Sequence, residues 1–120
     1  MILVDTSVWI DILKDKSGRK PRAFKQIIGR ETYGLSRFNQ LELLQGPNDK
    51  KEWALLEKHL STQIYLETST GTWVAAARIY FKLRRKGLTV HSPIDCCIAQ
   101  LAIEHGAILL HQDNDFVNIA

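Results

Sequence analysis

Asp5 ends an unbroken apolar run in "MILVD", Glu42 lies between leucines in "QLELLQG", Asp95 follows "SPI", and Asp113 and Asp115 come just after "AILLHQ". Acids this far apart act together only if the fold gathers them. Asp5 raises the question most sharply, because a carboxylate abutting a core strand loses its hydration or takes up a proton unless it finds a partner. No lysine or arginine sits beside it in sequence. A divalent cation shared by Asp5, Glu42, Asp95 and Asp113 would neutralise all four, and carboxylates that repel one another are otherwise poorly suited to a common pocket. Oxygen-only donors suit Mg²⁺ or Mn²⁺, whereas no Cys/His spacing of the structural zinc type is present. Cys96 and Cys97 read as small apolar filler in a helix. His91 and His111 fall near the proposed site; both read first as structural, with His111 also placed to touch substrate.

Each acid has a local explanation as well. Asp5 competes with Ser7 to cap a first helix, Asp95 completes a cap begun by Ser92, Asp113 caps a short terminal helix, and Glu42 borders an apolar helical face. Taken singly, these suffice for Asp113 and Asp115. They do not suffice for Asp5.

The elements that must position these residues alternate between short apolar runs and helical patterns. "ILV" (2–4) is apolar at every residue, as a strand buried on both faces requires. Ser7 is expected to cap a helix through Leu13, and Pro21 to start another that closes at Gly29. "TYGLS" (32–36) and "QIYLE" (63–67) are strand candidates. Between them lie a helix around "RFNQLELLQG" and one opened by Asp49 and Glu52, with Trp53, Leu56 and Leu60 on its apolar face. Residues 72–86 carry Trp73, Ala76, Ala77 and Tyr80 at helical spacing and stop at Gly87. Ser92-Pro93-Ile94-Asp95 starts a helix with an Ile94, Ile98, Leu101, Ala102 stripe, ended by Gly106, and "AILL" (107–110) is the last strand. Strand–helix alternation with buried strands predicts a three-layer α/β/α sandwich on a mostly parallel central sheet, as one domain over residues 1–120.

The composition is that of an ordinary soluble domain, 45% hydrophobic and 24% charged. No apolar run approaches the roughly 20 residues of a membrane span, "MILV" reads as structure rather than as a signal peptide, and two adjacent cysteines fit a reducing cytoplasm. The net charge of +3 leans weakly toward an anionic partner. Its distribution says more: "KDKSGRKPRAFK" (14–25) holds six basic residues against one acid, and "KLRRKG" (82–87) forms a second cluster. Both read equally as solvated surface or as phosphate-binding patches.

Taken in order, "ILVDTSVWID", "LELLQG", "WVAAARIYFKLRRKG", "IDCCIAQLAIEHGAILLH" and "DNDF" span nearly the whole chain, and together they resemble a PIN-domain ribonuclease, specifically a VapC-type toxin of a toxin–antitoxin pair. The segment "GLSRFNQ" before Glu42 departs from the family by being more polar than its usual apolar strand. The resemblance implies a PIN-like fold and Mg²⁺-dependent endoribonuclease activity, with Mn²⁺ substituting. It implies that Asp5, Glu42, Asp95 and Asp113 bind metal, with Glu42 or Asp113 orienting the attacking water. Thr6, Ser7, Asp115 and His111 would support them. Arg19, Lys20, Arg84, Arg85 and Lys86 become expected contacts to the RNA backbone. A homodimer is implied, along with a small VapB-like antitoxin protein crossing the active-site groove. Trp9, Ile10, Leu13, Trp73 and Tyr80 are available for such surfaces, or for the core.

Two metal-dependent rivals fit less well. A phosphoacceptor receiver would need paired acids near the first strand and a lysine after a late one, where His111 stands. A haloacid-dehalogenase-type phosphatase would need an acid at position 7, which is serine. A PIN-like module that binds RNA or a protein without cutting is the remaining alternative, against which the four intact acids argue.

Overall fold

The structure, a computed structural model, describes residues 1–89 and 92–112. Its elements run β1 (Ile2–Val4), α1 (Thr6–Lys14), α2 (Arg19–Ile28), β2 (Tyr33–Gly34), α3 (Arg37–Leu44), α4 (Lys50–Ser61), α5 (Thr72–Arg85), α6 (Pro93–Glu104) and β3 (Ile108–Leu110). The sheet is parallel in the order β2-β1-β3, with Ile2 opposite both Tyr33 and Ile108.

As the central strand, β1 is covered on both faces, which is why its apolar run does not alternate. Ile2 and Val4 pack with Val8, Trp9, Ile28, Leu43 and Leu60 from α1 to α4. Leu3 points the other way, onto Ile98, Leu101 and Ala102 of α6. Outside α6 lies α5, packed through Ala76, Leu83 and Cys96. The result is the expected three-layer α/β/α arrangement. No helix among the described residues is long and apolar enough to cross a membrane.

Three expectations need correction. The segment 63–67 pairs only through an isolated bridge, Leu35 to Tyr65. Two backbone hydrogen bonds make that bridge, Leu35 N–H to Ile64 O at 3.0 Å and Leu66 N–H to Leu35 O at 2.9 Å. Side chains add to it: the Arg37 guanidinium lies 3.8 Å from the Tyr65 ring centroid and reaches Glu67 through Nε at 2.9 Å and Nη2 at 3.2 Å. Second, α2 begins two residues before Pro21. The Asp15 carboxylate accepts from the Ser17 hydroxyl (2.7 Å) and from the backbone N–H of Ser17 (3.0 Å) and Lys20 (2.7 Å), organising the turn into α2 upstream of the proline. Those donors, the Ser17 hydroxyl first, hold the Asp15 carboxyl below its ordinary range. Pro21 is tolerated in the first turn because N–H groups there have no helical acceptor. Third, Trp53 is 40% exposed, its indole N–H donating to Leu44 O at 3.0 Å rather than filling the core.

Gly34 is required by close approach: a Cβ there would lie 2.5 Å from the Ile64 carbonyl oxygen. Gly87 is required by conformation, with φ at +75° and open space around it. Gly34→Ala is therefore predicted to destabilise the protein by about 3 kcal/mol through backbone overpacking. Gly87→Ala should lose only about 1 kcal/mol. Urea-denaturation midpoints check this order, and equal shifts would contradict it.

Candidate active site

Sites in open α/β sheets form at the carboxyl edge of the strands, and β1 delivers Asp5 there. The Asp5 N–H donates to Leu110 O (2.9 Å), which ties this residue to the end of β3. Its side chain caps α1, accepting from the Ser7 hydroxyl at 3.0 Å and the Ser7 N–H at 3.5 Å. The expectation that Ser7 caps the helix is thereby corrected. Because α1 already starts at Thr6, Ser7 N–H is one of its unpaired donors, and the preceding carboxylate is the group within reach. Trp9 secures the turn, with its indole N–H on Val4 O at 3.1 Å. Asp5 is 6% exposed, and Asn39 Nδ2 also donates to it, at 3.4 Å. Every one of these donors is neutral. Among the described residues no cationic side chain forms an ion pair with Asp5.

Glu42 arrives on α3, which Ser36 starts. Asn39 N–H donates to Ser36 Oγ at 3.1 Å, and Asn39 Oδ1 accepts from Ser36 N–H at 2.9 Å, a reciprocal cap. Three residues on, and so on the same helical face, Glu42 accepts from the Thr6 hydroxyl at 3.1 Å. The structure thus brings Asp5 and Glu42 together across α1 and α3.

Asp95 is placed by topology. After Gly106 the chain enters β3, parallel to β1, so α6 runs back along the sheet for about 18 Å and its first turn lies at the carboxyl edge. Ser92 caps it, accepting from Ile94 N–H at 3.1 Å, and Asp95 is half-buried in that turn. Among the described residues, no three His, Cys, Asp or Glu side chains gather closely enough to hold an ion. Asp113, Asp115 and His91 lie outside the described residues. The backbone leading to Asp113 is placed, however: Gln112 N–H donates to Ser7 Oγ at 3.3 Å, directly over the Asp5 cap. His111 is half-buried at the end of β3.

The basic residues divide. The Thr72 hydroxyl at the start of α5 donates to Glu104 at the end of α6 (2.8 Å), so the two helices are antiparallel. Arg84, Arg85 and Lys86 therefore fall at the same end as Asp95, exposed. Lys20, exposed in the first turn of α2 beside Arg19, pairs with Asp11 at 3.4 Å. Of the apolar residues considered for partner surfaces, Trp9 is core, whereas Ile10, Leu13 and Trp73 are exposed. Ile10 and Leu13 face Leu55 and Leu56 across a cleft of about 600 Å³ that also includes Glu42.

The donor chemistry fits a hard divalent ion. Carboxylate oxygens of Asp5 are held by neutral donors among the described residues, and Glu42 adds an oxygen that accepts from Thr6, the donor type a hard cation takes. A soft metal fits less well, since burial pushes the Cys97 thiol, two residues from Asp95, up and keeps it protonated. Ser36 and Asn39 escaped the sequence reading, although Ser36-x-x-Asn39 has capping-box spacing and Asn39 precedes Glu42 by three.

The PIN domain family matches residues 2–120. The chain is 34% identical over 123 aligned positions to ribonuclease VapC11 of Mycobacterium tuberculosis, covering all of this chain and 92% of that protein. The VapC ribonuclease Mb1587 of Mycobacterium bovis gives the same figures. Among solved structures, VapBC2 from Rickettsia felis, bound to a DNA fragment from its promoter, superposes with a TM-score of 0.81 at 18% identity, covering 99% of this chain and 93% of that one. FitAcB from Neisseria gonorrhoeae gives 0.79 at 21% identity with the same coverage. The parallel sheet that carries Asp5 to its edge is thus a shared fold, and with end-to-end sequence similarity to its ribonucleases, the chain belongs to the PIN-domain family, in its VapC branch.

Proposed function

We propose that this chain is a divalent-metal-dependent endoribonuclease and the toxin of a toxin–antitoxin pair, with Asp5, Glu42, Asp95 and Asp113 holding Mg²⁺, for which Mn²⁺ substitutes. The observation that carries this reading is Asp5: a carboxylate 6% exposed, with only neutral donors among its described partners, at the carboxyl edge of the central strand. Leaving such a charge buried without a counter-ion costs several kcal/mol, and a bound cation removes that cost.

When bound, the ion supplies Lewis-acid polarisation of the scissile phosphate and activation of water. The chain's own residues do the rest. Ser7 and Asn39 hold Asp5 in a single orientation. Glu42, exposed and accepting from Thr6, orients the attacking water and takes its proton as the oxygen bonds to phosphorus. The P–O bond opposite then breaks, and no side chain bonds covalently to the RNA. Asp115 and His111 support the site from the end of the chain. Arg84, Arg85 and Lys86 hold phosphates beside it, and Arg19 and Lys20 extend the basic surface.

The VapBC likeness and the apolar cleft that reaches Glu42 favour a small VapB-like antitoxin protein as the partner, seated on Ile10, Leu13, Leu55 and Leu56. The toxin acts as a homodimer in the cytoplasm.

Purified chain is expected to cleave RNA with Mg²⁺ or Mn²⁺ and to stop on addition of EDTA. Asp5→Asn and Asp95→Asn should each lower the rate roughly a hundredfold or more while remaining folded by circular dichroism. Parent and variants cutting equally fast under matched metal would refute the assignment. RNA binding without cleavage in all three would select the silent binding module instead. Leu55→Asp should abolish co-purification with a VapB-like antitoxin co-expressed with the chain, and retained co-purification would remove the antitoxin from this cleft.

A further inference from the structure

The hydrogen bonds joining Asp5 to Glu42 lead outward to both acids from one residue outside the acid set. Asn39 is fully buried at 0% exposure, as is Ser36. Its Oδ1 accepts twice, from Ser36 N–H at 2.9 Å and the Ser36 hydroxyl at 2.7 Å. Both of those groups donate, so the amide is locked with Nδ2 turned the other way. The two N–H bonds of Nδ2 then go to Thr6 Oγ1 at 2.9 Å and Asp5 Oδ1 at 3.4 Å. Having accepted from Asn39, the Thr6 hydroxyl directs its own proton to Glu42 Oε1 at 3.1 Å. A buried amide thereby grips one acid directly and the other through Thr6.

We infer that Asn39 is a positioning residue that presets Asp5 and Glu42 to receive a divalent cation, an inference that rests on the metal-binding reading above. It touches neither RNA nor the reacting atoms. It keeps two mutually repelling carboxylates at a fixed separation before the ion arrives, so that binding needs little rearrangement. Ser36 orients Asn39, Thr6 transmits to Glu42, and the three-residue spacing of Ser36, Asn39 and Glu42 on α3 makes the chain of bonds possible.

The test is Mn²⁺ affinity of the RNA-free protein, measured by calorimetry at a temperature where every variant is folded. Asn39→Ala and Thr6→Val are each expected to weaken Mn²⁺ binding about tenfold or more. The double variant should weaken it by less than the product of the two, since both break one connection. A second measurement needs no variant at position 39 and so survives any folding defect there. In ¹⁵N-labelled parent, the Asn39 side-chain amide resonances should shift on Mg²⁺ addition and again in Glu42→Gln. Parent-like Mn²⁺ affinity in folded Asn39→Ala and Thr6→Val, or Asn39 amide signals indifferent to both Mg²⁺ and Glu42→Gln, overturns the positioning role and leaves the metal site standing. A parent that binds no Mn²⁺ at all overturns both.

Discussion

A buried negative charge has to be answered, and in this protein the charge of Asp5 is answered only by neutral donors among the described residues. Ser7 and Asn39 can orient the carboxylate, but hydrogen bonds from hydroxyl and amide groups leave its charge in place. Much of the surrounding architecture follows from holding that group at the end of β1. Trp9 ties the turn to Val4, the Asp5 N–H ties it to β3, and Gln112 closes over it from the far end of the sequence. On the metal-binding reading proposed above, a hard cation relieves that charge, and the relief is the source of the site's affinity for it.

The parallel sheet gives the convergence its geometry. Each crossover returns the chain so that the next strand also ends at the same edge. Glu42 comes from the helix after β2, Asp95 from the helix before β3, and the approach to Asp113 from the residues just beyond β3. None of these positions is near Asp5 in sequence, yet topology sends all of them to one side. The antiparallel α5–α6 pair adds Arg84, Arg85 and Lys86 to that side, which sets exposed positive charge beside the acids.

What could be read from sequence follows physical lines. The strand 2–4, the caps at Asp49 and Ser92, and the glycine stops had local signals and fold as those signals dictate. The α1 cap was misassigned to Ser7 because both residues suit the role, and only the actual turn at Thr6 decides between them. Residues 63–67 looked like a strand by composition, but they pair only through the single bridge at Leu35, with Arg37 gripping Tyr65 and Glu67 beside it. The extent of so distant a pairing leaves no local trace. Asn39 was passed over for a similar reason. In "GLSRFNQ" it looks like a polar surface residue, and its burial emerges only when α1 and α3 pack. Asp5 was legible because a carboxylate at the end of a core strand contradicts its surroundings.

The most direct test is anomalous diffraction from crystals of the protein grown with Mn²⁺. The account predicts a single region of anomalous density about 2.1 Å from an Asp5 carboxylate oxygen, bounded by Glu42, Asp95 and Asp113. Density elsewhere, or none, with Asp95 and Asp113 turned away from Asp5, would contradict it.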